Sequence, residues 1–197
     1  DDARALREQL ESLAARDLRL DKPTLTELLY AVKSDEEEFG QGYLEASRDF
    51  IFRNTYADVE QIVATLGANG TRFEFECYDV GHLYNLAHLM ERGLVTPPLF
   101  VQTIFGILGG IGADPENVVH MKRIADKLFG DAYAWSILAA GRHQLPLVSM
   151  GAIMGGNVRV GLEDSLWIGR GKLAESNADQ VSCVRSIIEN LSLDIRA

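Results

Sequence analysis

Phe73-Glu74-Phe75-Glu76-Cys77-Tyr78-Asp79 is the run on which the fold of this chain turns. Apolar residues alternate with carboxylates, the period-two pattern of a β-strand. Glu74 and Glu76 therefore share one face, and Phe73, Phe75 and Cys77 the other. A carboxylate inside a strand is costly to bury unless it is paired or metal-bound. The face is either the interior of a closed sheet holding such partners or a solvent-facing edge, and both readings stay open on these residues alone.

Working outward, residues 59–66 read as an amphipathic helix ended by Asn69-Gly70, two residues that tolerate a left-handed backbone. A helix over 83–91 follows the strand, then a strand over 99–105 and a loop carrying Gly106, Gly109, Gly110 and Gly112. Asp114-Pro115-Glu116 is a helix start: Asp can cap, Pro suits the first turn, and Glu favours the positive end of the dipole. That helix is expected to run to about Leu128. A strand over 133–138, a helix over 145–154, a strand over 158–162, a loop rich in Gly, Ser and Asn, and a last helix over 179–191 complete the pattern. Strands beginning near residues 73, 99, 133 and 158, each followed by a helix, make four βα units. Such units give parallel strands joined by right-handed crossovers. The fold class is α/β: an open sheet, or part of a (β/α)8 TIM barrel, whose full form typically runs to ~250 residues.

The first fifty residues differ from the rest. Residues 3–18 and 24–32 have helical spacing, Asp35-Glu36-Glu37-Glu38 is an acidic run, and Gly40 and Gly42 break the chain. The expected division is a helical or irregular segment over 1–50 and a βα region over 51–197.

The formal net charge of −10 argues against a nucleic-acid partner, which needs a basic surface. Small anionic substrates remain compatible, because a few local arginines can hold them. No apolar run approaches the ~20 residues that span a bilayer, and Asp1-Asp2-Ala3-Arg4 does not resemble a signal peptide. No membrane partner is expected and a cytoplasmic location is. Cys77 and Cys183 read as buried reduced thiols. Asn69-Gly70-Thr71 and Asn190-Leu191-Ser192 match the glycosylation sequon, and read as a turn and as chance.

Parallel α/β enzymes place their chemistry at the carboxyl ends of strands. Asn157-Val158-Arg159-Val160-Gly161-Leu162-Glu163-Asp164 is the sharpest such end. Arg159, Gly161 and Glu163 alternate onto one face while strand geometry lasts, and Asp164 follows at the turn. An arginine beside paired carboxylates suits anion binding, metal ligation and proton transfer. A structural ion pair is the competing reading. Gly169-Arg170-Gly171-Lys172 can cover a ligand but is no phosphate-binding fingerprint. Of the histidines, His82, His88 and His120 read as surface or supporting residues, and His143, after Gly141-Arg142, as the best site candidate. No GxSxG elbow appears, which argues against an ordinary serine hydrolase.

Several of these motifs together resemble one family. The run from Phe73 to Leu83, Gln102-Thr103-Ile104-Phe105-Gly106-Ile107-Leu108-Gly109-Gly110, Trp135-Ser136-Ile137-Leu138-Ala139-Ala140-Gly141-Arg142, and the run from Gly155 to Asp164 with Ala174-Glu175-Ser176-Asn177 look like strands five to eight of the β-keto acid cleavage enzymes. These include the 3-keto-5-aminohexanoate cleavage enzymes of lysine degradation. The resemblance covers about Tyr43 to Leu193. It implies a zinc-dependent (β/α)8 barrel exchanging acyl groups between a β-keto acid and acetyl-CoA, to give acetoacetate and a new acyl-CoA. It also implies that Glu163 is the carboxylate ligand of Zn2+, that Asp164 and Arg159 handle proton transfer and substrate activation, and that Glu76 lies near the substrate.

The family's His-x-His metal pair has no counterpart in this chain, and neither do strands one to four. Catalytic zinc normally has about three protein ligands, so the ligand set is incomplete. The alternative is therefore a non-catalytic half barrel acting as an oligomerisation module. A partial barrel exposes sheet edges and faces, so a homo-oligomer is expected in either case.

Overall fold

The computed structural model describes residues 53–195. The helical stretches expected over 3–18 and 24–32, the acidic run and the boundary near residue 50 lie outside the described residues.

Helix α1, Tyr56–Gly67, begins with a capping box: Thr55 Oγ1 accepts from the Asp58 amide at 3.1 Å, and Asp58 Oδ2 accepts from the Thr55 amide at 3.2 Å. Gly70 has φ of 77° beyond it, a left-handed backbone that glycine adopts without a Cβ clash. Strand β1, Glu74–Cys77, leads to α2, Val80–Glu91, which Asp79 caps through the Gly81 amide. Then come β2, Leu99–Phe105; α3, Pro115–Phe129; β3, Tyr133–Ala139; a 3-10 turn, Gly141–His143; α4, Gln144–Ile153; and β4, Asn157–Val158.

The four strands form one sheet in the order β1-β2-β3-β4, every pair parallel. Glu76, Gln102, Ser136 and Asn157 lie level across it in register. Alternation then sorts the faces. Cys77, Leu99, Val101, Phe105, Trp135 and Ile137 turn to the helices and join Leu83, Leu86, Val118 and Met121 in the core. Glu74, Glu76, Gln102 and Ser136 take the other face, which they share with Phe100 and the buried Ile104 and Leu138. Two glycines bring α4 and its exit close to β3: a Cβ on Gly151 would collide with the Ile137 side chain, and one on Gly156 would meet the Trp135 ring at 2.5 Å.

Three expectations need correction. The strand expected over 158–162 ends at Val158, with the Arg159 amide making a last bond to the Ile137 carbonyl at 3.0 Å. The chain then turns, with the Asp164 and Ser165 amides both bonded to the Gly161 carbonyl at 3.1 Å. Strand alternation thus does not bring Glu163 beside Arg159; the turn does. The loop expected before the last helix contains an antiparallel hairpin, β5 Trp167–Gly169 and β6 Lys172–Leu173, before α5, Asn177–Asn190. Asp114 holds the N-cap position of α3 but makes no side-chain cap bond; its carboxylate accepts from Asn117 Nδ2 at 3.4 Å instead.

Candidate functional site

The parallel arrangement puts the ends of β1 and β4 on one side of the sheet, and Arg159 gathers the carboxylates there. Its Nη1 donates to Glu76 Oε1 at 2.9 Å and lies 3.5 Å from Glu74 Oε1. Its Nη2 donates to Glu163 Oε2 at 3.1 Å, and its Nε faces Asp164 Oδ2 at 3.7 Å. One planar guanidinium therefore addresses carboxylates from two segments on different nitrogens, which a lysine ammonium cannot reproduce. Glu76, Arg159, Glu163 and Asp164 come together as expected, and Glu74 joins them.

This contact also reports on the sheet. β1 and β4 are its two edges, and the edges of a flat four-stranded sheet stand about 14 Å apart. Side chains project roughly perpendicular to a sheet. The Arg159–Glu76 hydrogen bond nevertheless links the segments that carry the two edges.

The environments of the charged groups differ. The Glu76 side chain is 37% exposed and that of Asp164 only 10%. Burial pushes the Asp164 carboxyl up to about 6; Arg159 opposes this, while Glu163 and Glu76 reinforce it. Burial alone would lower Arg159, but the charges of Asp164, Glu76 and Glu163 and the Glu76 hydrogen bond outweigh it and hold the guanidinium above its ordinary value. Asp164 is thus a carboxyl poised to exchange a proton near neutral pH, beside a cation that stays charged.

Tyr78 was missed in the sequence. It follows Glu74 and Glu76 in the same period-two series, and that was the available signal. Its hydroxyl donates to Glu76 Oε2 at 2.8 Å, so both oxygens of Glu76 are engaged. Burial and the Glu76 carboxylate raise the phenol well above its usual range and keep it protonated. Its amide donates to His82 Nδ1 at 3.1 Å, and its carbonyl accepts from the Ile111 amide at 2.7 Å, which ties the glycine-rich loop to the site. Gly110 is required there, because a Cβ would sit 2.7 Å from the Tyr78 carbonyl oxygen. Gln102 was also missed: it is fully buried, and its amide has no hydrogen-bond partner among the described residues.

Other candidates fall elsewhere. His143 accepts from Arg142 Nε at 3.2 Å and is not among the Arg159 contacts described above. His120 is exposed on α3, and His88 packs edge-on against Tyr56. The Gly169–Lys172 segment makes the hairpin turn. Cys77 is buried, and burial, aided by Glu76, pushes its thiol up to about 12, so it is no thiolate nucleophile. Cys183 is half-buried rather than buried, with its thiol 3.7 Å from the Ile168 carbonyl. Among the described residues no group of three or more His, Cys, Asp or Glu is arranged to hold a metal ion. The carboxylates are drawn onto the guanidinium, and Glu163 alone does not make a zinc site. No helix among these residues is long and apolar enough to cross a membrane.

A family model described as beta-keto acid cleavage enzyme matches residues 4–197. The chain is 61% identical over 168 residues to a 3,5-dioxohexanoate:acetyl-CoA acetone transferase of Paraburkholderia graminis, a match covering 85% of this chain and 54% of the relative. It is 32% identical to a 3-dehydrocarnitine:acetyl-CoA trimethylamine transferase of Rhizobium meliloti, over 75% of this chain and 47% of the relative. It is 28% identical to a 3-keto-5-aminohexanoate cleavage enzyme of Fusobacterium nucleatum, over 75% of this chain and 52% of the relative. The chain spans about half the length of the curated relatives it matches.

Proposed function

The chain belongs to the β-keto acid cleavage enzyme family, and on that premise we propose that it carries the reacting residues of an acyl exchange between a β-keto acid and acetyl-CoA. The products are acetoacetate and a new CoA thioester. In this reading β1 to β4 are strands five to eight of a (β/α)8 barrel. The observation that carries it is the gathering of Glu76, Glu163 and Asp164 on Arg159 at the carboxyl ends of the parallel strands.

Asp164 moves the proton. Its raised carboxyl exchanges one near neutral pH, and Arg159 restrains it and offsets negative charge developing on the keto acid. Glu76, fixed by Tyr78 and Arg159, orients the substrate at the mouth of β1. Glu163 is the carboxylate assigned to zinc in this reading. The described residues do not complete a zinc site around it.

The test mixes the purified chain with acetyl-CoA and a panel of β-keto acids, 3,5-dioxohexanoate first because of the 61% identity. Acetoacetate release with matching acyl-CoA supports the exchange. No turnover with any member, with or without added zinc, removes it for this chain.

The second reading is an oligomerisation module. It is favoured by the incomplete metal site and by β1 and β4, each paired on one side only within the described sheet. A stable homo-oligomer in light scattering, without metal or turnover, supports it.

A further inference from the structure

Glu163 and Asp164 sit on a turn that neither a helix nor a strand fixes. Two glutamines from separate helices reach both of its ends. Gln144, the first residue of α4, and Gln180, on α5, are completely buried. Gln144 Nε2 donates to Gln180 Oε1 at 2.9 Å. Gln180 Nε2 in turn donates to the Ser165 carbonyl. At the other end, the Gly161 amide donates to Gln144 Oε1 at 3.5 Å, a long bond. The relay therefore runs from the first residue of the turn to the last through two side chains. Two further bonds brace the middle: Asn177 Oδ1 accepts from the Leu162 amide at 2.8 Å, and the Asp164 carbonyl accepts from the Gly141 amide at 2.7 Å.

Packing alone does not account for two buried amides, since a pair of methionines fills a similar volume without desolvating polar atoms. The backbone does account for them. Ser165 is buried, and a buried backbone group that leaves regular structure needs a partner from elsewhere. Supplying it from α4 and α5 fixes the turn to two elements of the core.

We propose that Gln144 and Gln180 are positioning residues that set the orientation of the 161–165 turn and thereby hold Glu163 and Asp164 on Arg159. The functional meaning of this pair rests on the reading of Arg159, Glu163 and Asp164 as reacting groups. Its geometric content does not, so the test is made on the chain without substrate.

The variants are Gln144→Met, Gln180→Met and Gln180→Glu, the last keeping the size but losing the donor to Ser165. Val148→Ala opens a cavity in α4 without touching the relay and serves as control; Asp164→Asn shows the signature of a lost partner. Two readouts are followed in the full chain: the Arg159 Nε–H resonance, and hydrogen exchange of the Leu162, Asp164 and Ser165 amides relative to those of Val101 and Ile137. Each glutamine variant is expected to move the Arg159 signal in the direction seen for Asp164→Asn. Exchange of the turn amides should rise about tenfold relative to the strand amides, as for a local opening. Val148→Ala should speed both sets of amides together and leave the Arg159 signal in place. If both methionine variants, or Gln180→Glu where they fail to fold, leave the Arg159 signal and the exchange ratio unchanged, the proposal is overturned. Absence of turnover in the acyl-exchange assay does not affect this outcome.

Discussion

Replacing Asp164 with Asn should make the protein more stable at neutral pH. Burial is the largest influence on this carboxyl and outweighs the opposing Arg159, so the group sits at about 6 instead of 3.8. A carboxyl raised in this way binds its proton more tightly folded than unfolded. Its contribution to stability is complete below the unfolded value and is lost as pH rises through the folded one, between about 4 and 6. The interval corresponds to about 3 kcal/mol at about 1.4 kcal/mol per pH unit, and solvent screening brings the expected effect to about 1–3 kcal/mol. Asn mimics the neutral acid and does not titrate. The stability difference, variant minus parent, should therefore be near zero at pH 3.5 and grow to about 1–3 kcal/mol in the variant's favour at pH 7.5. Urea unfolding followed by the fluorescence of buried Trp135 measures it at each pH. A variant less stable than the parent at pH 7.5, or a difference that does not change with pH, would mean that the ion pair with Arg159 dominates and that Asp164 is an ordinary carboxylate.

Arg159→Lys should cost about 1–2 kcal/mol in the same assay, because one ammonium cannot serve Glu76 and Glu163 from separate nitrogens; an unchanged midpoint argues against the shared clamp. Gly151→Ala should lower stability by about 1–3 kcal/mol, since the added methyl meets the Ile137 side chain; calorimetry on the variant checks this, and an unchanged Tm means α4 shifts freely. Gln102→Met should be neutral or stabilising by about 1 kcal/mol, as it removes a buried amide with no partner among the described residues; a clear loss would mean that the amide is hydrogen-bonded in solution. If a complete metal site forms, Glu163→Gln should lower zinc content by elemental analysis, whereas Asp164→Asn should keep the metal and lose turnover. Equal, small effects from both would reduce the two residues to structural members of the 161–165 turn.

Much of the fold was legible because its signals are local. Alternation in 73–78 and apolar runs at 99–105 and 133–138 gave three strands to within a residue or two. The fourth was overextended for a non-local reason. Val158, Val160 and Leu162 do alternate, but the Leu162 amide is taken by Asn177 and the Gly161 amide by Gln144. Side chains from elsewhere in the chain compete for the groups that a longer strand would have paired. The hairpin escaped because strands of three and two residues are too short to show a period. At the site, the charged residues stood out because carboxylates and an arginine at strand ends break an apolar background. Gln144 and Gln180 did not: a single amide in a helical pattern looks the same whether it faces water or a buried carbonyl.

The two faces of the sheet are held in different ways. On the helix side, apolar residues at full burial hold the strands without needing any particular partner. On the other side Glu74, Glu76, Gln102 and Ser136 share the face with Phe100, Ile104 and Leu138, so burial and electrostatics act there together. One guanidinium faces four carboxylates there, and the surplus negative charge is tolerable only with solvent, a proton or a cation close by. Arg159, one residue past β4, engages Glu76 of β1 and concentrates that charge at the carboxyl ends of the strands. Burial, opposed by Arg159, raises the Asp164 carboxyl above the ordinary carboxylate range. Opening the 161–165 turn to water would therefore return the Asp164 carboxyl toward its ordinary value.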